Sequence, residues 1–148
     1  MPASFAQQRL WFVAQLEGPS AVYNNPLALR LDGELDVAAL GAALGDVVAR
    51  HEALRTVFPV TDGQPFQRVL SLEEAGWQLE TAAVAEQDVP AAVAGIGAEP
   101  FDLAVQVPVR ARLLAVAPQV HVLVLVLHHI ATDGWSSGIL TRDLRQAY

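Results

Sequence analysis

Apolar residues run almost without a break from Val120 to Leu127, and two histidines, His128 and His129, stand where the run stops. A Val- and Leu-rich stretch of this length predicts a central strand buried on both faces, and it is too short to span a membrane. Asp133-Gly134 follows as a turn pair, after which Trp135, Ile139, Leu140, Leu144 and Tyr148 fall at helical spacing. A last helix is therefore expected over 136–148. A strand, polar turn and helix in this order set ionisable side chains at a rigid strand end, beside the free N–H groups of a helix N-terminus.

The rest of the chain reads as short alternating elements. Ser4 and Gln7 stand in capping-box spacing, so a helix is predicted from Ser4 to Gly18-Pro19. Leu27 to Leu31 alternates as a strand that Asp32-Gly33 ends. Asp36 can cap a helix whose apolar residues Val37, Leu40, Leu44, Val47 and Val48 share one face. Leu54 to Val60 reads as a strand, joined through Asp62-Gly63 to a second near Phe66 to Leu70. A short strand is expected around Trp77 to Glu80, and a helix over Asp88 to Ala98 with Pro90 in its first turn. Val107 to Val116 alternates with Arg110 and Arg112 on one face, and Ala117-Pro118-Gln119 turns it back into the central strand.

With 148 residues, just over half hydrophobic, the chain can bury one real core but not a second full domain, and no repeat or linker divides it. The last helix meets the C-terminus without a cap, as expected of a chain cut from something longer. A net charge of −7, with all nine basic residues arginine and none clustered, argues against nucleic acid or anionic membrane as partners. The absence of cysteine excludes disulfides and thiolate nucleophiles. Met1 to Phe5 lacks the features of a signal peptide, so a cytoplasmic location is expected.

Adjacent strand residues point to opposite faces, so His128 and His129 cannot share a target unless the strand has already ended; one of them is expected to be structural. A histidine facing a cavity is a general base, with an unperturbed pKa near ~6.5. Asp133 could cap the helix, hold an arginine or orient an imidazole, and Gly134 lets the backbone approach a ligand. No Gly-x-Ser-x-Gly elbow, Walker loop or Gly-x-Gly-x-x-Gly occurs. A base without a protein nucleophile suggests direct transfer, in which a bound amine or hydroxyl attacks an acyl group. A His-His-x-x-x-Asp cluster could hold a metal through imidazoles and carboxylate, but no other His or carboxylate pair shows convincing spacing, so no metal is expected. His51 and His121 are read as structural, and Trp11, Phe12, Phe58 and Phe101 as core.

Three stretches carry a family resemblance. His128-His129-Ile130-Ala131-Thr132-Asp133-Gly134 resembles the His-His-x-x-x-Asp-Gly signature of the condensation domains of nonribosomal peptide synthetases. Ser4 to Phe12 is similar to that family's first core motif, and Arg50 to Phe58 to its second; all three occur in family order.

The resemblance implies an α/β, chloramphenicol acetyltransferase-like lobe with a mixed, largely antiparallel sheet and packed helices. It implies peptide-bond formation between a donor acyl or peptidyl thioester and an acceptor aminoacyl thioester. Both are presented on phosphopantetheine arms of carrier proteins, with no cofactor bound to the lobe itself. His129 matches the active-site histidine. An α-amine has a pKa of about 7.7–8.0, so a modest base suffices to present it uncharged. The Gly134 N–H is a candidate for the developing oxyanion. His128 and Asp133 would be structural, with Arg50 and then Arg55 as candidate ion-pair partners of Asp133. The first motif favours an L-configured donor.

Family members have two lobes with the substrate tunnel between them, so residues 1–148 are expected to form the N-terminal lobe. Alone it should be inactive and should expose apolar surface that invites self-association. The alternatives are a small-molecule acyltransferase of the same superfamily and a non-catalytic piece that binds carrier protein or a partner lobe.

Overall fold

The computed structural model describes residues 2–4, 6–10, 12 and 24–131. Four strands make the main sheet: β1 (Asn24–Asp32), β6 (Glu80–Ala83), β7 (Val109–Ala117) and β8 (Val120–His128), in the order β1-β8-β7-β6. β8 pairs antiparallel with both neighbours, from Asn24 opposite His128 to Asp32 opposite Val120 on one side, while β6 joins β7 in parallel. The sheet is thus mixed and mostly antiparallel.

Helices cover both faces, which accounts for the unbroken apolar run of β8. Leu123, Leu125 and Leu127 meet Leu40, Leu44, Val47 and Val48 of helix α1 (Val37–Arg50). Val122, Val124 and Val126 meet Val89, Val93 and Ile96 of helix α3 (Val89–Ala98). A strand wetted on one side would have needed a polar residue at every second position. The α1 cap is the expected one, with Asp36 Oδ1 accepting the Ala39 N–H at 3.0 Å. The capping box at the N-terminus is also formed: Ser4 Oγ accepts from Gln7 N–H at 3.2 Å, and Gln7 Oε1 from Ser4 N–H at 2.8 Å. Residues 6–10 are helical; the expected end of that helix and the whole expected last helix lie outside the described residues.

Elsewhere the structure departs from the expected elements. β1 starts three residues early, passing through Pro26, which an edge strand tolerates because one row of its N–H groups has no partner. The strand expected over Leu54 to Val60 is a 3-10 turn (Glu52–Arg55) followed by two short strands, β2 (Thr56–Val57) and β3 (Val60–Thr61). The Asp62-Gly63 turn is present, with φ of 54° and 75° at the two residues as a type I′ turn requires. It joins β3 to β4 (Gln64–Pro65), whereas β5 (Arg68–Val69) reaches back to β2. Pro59 and Pro65 cannot donate to a ladder, so the hairpin breaks into two pieces.

Ser71 and Glu74 form a capping box on a short helix, α2 (Leu72–Ala75), which Gly76 closes at φ 63°, and the strand expected near Trp77 to Glu80 moves on to β6. Phe12, expected in the core, is 59% exposed.

Candidate active site

The strand β8 ends at His128, and the chain turns at once into a 3-10 turn, His129–Ala131. The two histidines therefore separate, His128 into the protein at 3% exposure and His129 to the surface. His128 is held by backbone, side chain and sheet register. Its N–H donates to Pro108 O at 2.9 Å, and its Nδ1 accepts the Ile130 N–H at 3.0 Å. Its ring stands edge-on to Phe101, with centroids 6.0 Å apart and planes at 85°, and its Cα lies opposite Asn24 of β1. Burial, and secondarily charge on His129, pushes its pKa down to about 4. With Nδ1 engaged as an acceptor, the neutral ring carries its proton on Nε2. Of the two histidines, it is His128 that the strand parity turns inward.

The turn bearing His129 rests on an apolar cluster of Ala3, Phe58, Leu103 and Ile130, with Leu10 and Phe101 packed against it. Leu10 belongs to the first of the three sequence stretches, Phe58 to the second and Ile130 to the third. Segments more than a hundred residues apart thus share one small core beneath a single turn. Gln7 Oε1 accepts from the Gln67 amide at 2.7 Å, and Phe58 N–H donates to Leu103 O at 2.7 Å, fixing two of these segments to their surroundings.

Arg55 is half-buried and donates to Val48 O at 3.2 Å and Leu70 O at 2.7 Å, tying the end of α1 to the residue that follows β5. Arg50 is exposed on the last turn of α1. Thr132, Asp133 and Gly134 lie outside the described residues. His121 is buried, with Nδ1 unpartnered, and His51 sits half-buried just past α1. Among the described residues no group of three His, Asp or Glu side chains could hold a metal.

Sequence reading did not single out Arg110 as a buried anchor. Its side chain, 9% exposed on β7, donates to Ile96 O, Glu99 O and Pro100 O, and its guanidinium carbon lies 4.2 Å from the Phe101 ring centre. An arginine at an alternating position inside an apolar strand was the available signal, but its burial depends on α3 lying over it.

A mixed sheet with helices on both faces, and a histidine on the outgoing turn of an inner strand, is the arrangement of a chloramphenicol acetyltransferase-like lobe. The chain belongs to the condensation-domain family, whose model matches residues 1–148. Over its whole length it is 59% identical to a probable non-canonical nonribosomal peptide synthetase of Salinispora arenicola, of which it covers 2%. Among solved structures, the X-domain from teicoplanin biosynthesis is 41% identical with a TM-score of 0.89, over 99% of this chain and 32% of that one. The starter condensation domain of rhizomide synthetase is 26% identical with a TM-score of 0.80, over 96% of this chain and 35% of that one. The chain thus spans about a third of each solved structure and a small part of the synthetase. Among the described residues, no helix is long and apolar enough to cross a membrane.

Proposed function

We propose that residues 1–148 are the N-terminal lobe of a nonribosomal peptide synthetase condensation domain and that His129 carries its chemistry. The supporting observation is the convergence of the three motif stretches on one cluster beneath the turn that presents His129. The donor is an acyl or peptidyl thioester, L-configured at its reacting end, and the acceptor is an aminoacyl thioester. Carrier proteins deliver both on phosphopantetheine arms. The acceptor amine attacks the donor carbonyl; the C–N bond forms, the C–S bond breaks, and the amine proton is taken up as the thiolate of the donor arm leaves.

His129 lies at the surface of this lobe, where a second lobe would complete a tunnel, and acts on that amine as base or orienting group. The Gly134 N–H steadies the developing oxyanion. Asp133 makes a structural ion pair, with Arg50 as first and Arg55 as second candidate partner, and takes no part in proton transfer.

The test is condensation between loaded donor and acceptor carrier proteins, by this chain alone and with a complementing C-terminal lobe, using His129→Ala as control. Product only with both lobes, and none from the variant, supports the reading. Product from His129→Ala at the parent rate would remove it. A second reading, a docking element without turnover, draws on the likeness to the X-domain, which is also known in a complex with OxyB from teicoplanin biosynthesis. Carrier or partner binding by a folded two-lobed protein that forms no product would favour it.

A further inference from the structure

The end of α3 is fastened to both strands that flank β8. A helix leaves its last carbonyls without intrahelical donors, and here two side chains supply them. The Asn24 amide on β1 donates to Gly97 O at 3.0 Å and Glu99 O at 2.8 Å. Arg110 on β7 donates to Ile96 O at 3.3 Å, Glu99 O at 3.0 Å and Pro100 O at 3.3 Å, with the Glu99 carboxylate 3.6 Å from its Nε. Five donor bonds from the two strands on either side of β8 fix the path of the chain from Ile96 to Pro100, and so fix where the next residue, Phe101, can stand.

Phe101 stands between two groups that an aromatic ring holds well. The Arg110 cation lies over its face at 4.2 Å, where the ring quadrupole is negative. The His128 imidazole meets it edge-to-face at 85°. The ring of His128 in turn accepts the Ile130 N–H, the bond that closes the turn carrying His129. A continuous series of contacts therefore runs from the α3 terminus through Arg110, Phe101 and His128 to that turn.

We propose that Arg110 and Phe101 are positioning residues for His129: the series of guanidinium, phenyl ring and imidazole fixes the orientation of His128, and thereby the direction in which His129 is presented to the acceptor amine. Neither side chain touches substrate. The inference rests on the proposed role of His129 and adds to it the residues that aim this group. The burial that keeps His128 neutral is consistent with a ring serving only as a bonded support.

The experiment uses the complete condensation domain containing this chain, with Phe101→Leu, Arg110→Leu, Arg110→Lys and His129→Ala. Phe101→Leu keeps apolar volume and removes the ring; it carries the test if Arg110→Leu fails to fold. The expected result is a fall in kcat of about tenfold or more for Phe101→Leu with KM for both thioesters within about twofold, since misplacing a reacting group by an ångström costs rate rather than affinity. Arg110→Lys, which keeps a cation above the ring, recovers part of what Arg110→Leu loses. Nitrogen spectra of histidine-labelled protein should show the His128 Nδ1 acceptor signal shifted in Phe101→Leu and unchanged in His129→Ala. Parent kcat and an unmoved His128 signal in Phe101→Leu, alongside an inactive His129→Ala, would overturn this inference and leave the proposed function standing. Parent turnover by His129→Ala would overturn both.

Discussion

The Nδ1 of His128 accepts the Ile130 N–H at 3.0 Å, so the last side chain of β8 bonds the backbone of the turn that follows it. That bond needs an unprotonated Nδ1, and it makes the folded state sensitive to acid.

His128 has its pKa pushed down to about 4 from the ordinary 6.5, first by burial. The unfolded chain binds a proton here below pH 6.5 that the folded chain refuses until about pH 4. Stability from this site is therefore complete above pH 6.5, falls as pH drops towards 4, and levels off below that. Allowing for solvent around the turn, the loss is roughly 2–3 kcal/mol. Urea unfolding at a series of pH values should show this slope in the parent and not in His128→Asn, which keeps an acceptor without a titrating ring. Parallel curves for the two proteins would refute it.

Phe58 is 1% exposed in the cluster beneath the His129 turn. Phe58→Ala should cost about 3–5 kcal/mol, and Phe58→Leu distinctly less. The larger truncation should also raise amide exchange at Ile130, because that residue loses a packing partner. Exchange at Ile130 that stays at the parent rate would show that the turn does not depend on this cluster.

The side chain of Asp36 caps α1 through Ala39 N–H. Asp36→Ala should lower stability by ~1 kcal/mol and Asp36→Asn by much less, since asparagine caps about as well. Equal losses in thermal unfolding would mean that charge rather than the hydrogen bond matters at this end.

Arg30 reaches Asp32 and Glu86 across exposed surface at 3.3 and 3.0 Å. Solvent and salt screen such pairs, so Arg30→Ala should leave Tm unchanged in 0.15 M salt. Arg110 makes its bonds under α3 and is the contrasting case: its loss should lower Tm clearly.

Much of this arrangement was legible in the residues because it depends on local or periodic signals. The buried strand before His128, the Asp36-capped helix, the Ser4–Gln7 box and the Asp62-Gly63 turn each follow from side chains within a few positions of one another. So does the separation of His128 from His129, which strand parity and the end of the strand decide. β6 was misplaced because Glu80–Ala83 is exposed along its whole length and has no alternation to read; it is a strand because β7 lies beside it. The capping box of Ser71 and Glu74 is likewise a local signal. The hairpin breaks at Pro59 and Pro65, whose missing N–H groups are a signal separate from hydrophobic alternation. Arg110 and Phe101 could not be joined to His128 from sequence, because only the packing of α3 over the sheet brings them together.

The position of β8 in the sheet also sets an order of events during synthesis. β1, early in the chain, has β8 as its sole strand neighbour among the described residues, and β8 lies almost a hundred residues later. On a ribosome, β1 must wait with its pairing edge open until β8 emerges, whereas β7 and β8 can close locally as a hairpin. The strand that joins β1 to β7 is thus made late relative to β1, and it ends at His128. The turn carrying His129 can therefore reach its final shape only when the early strand has been captured, so a partly made chain cannot present that histidine correctly.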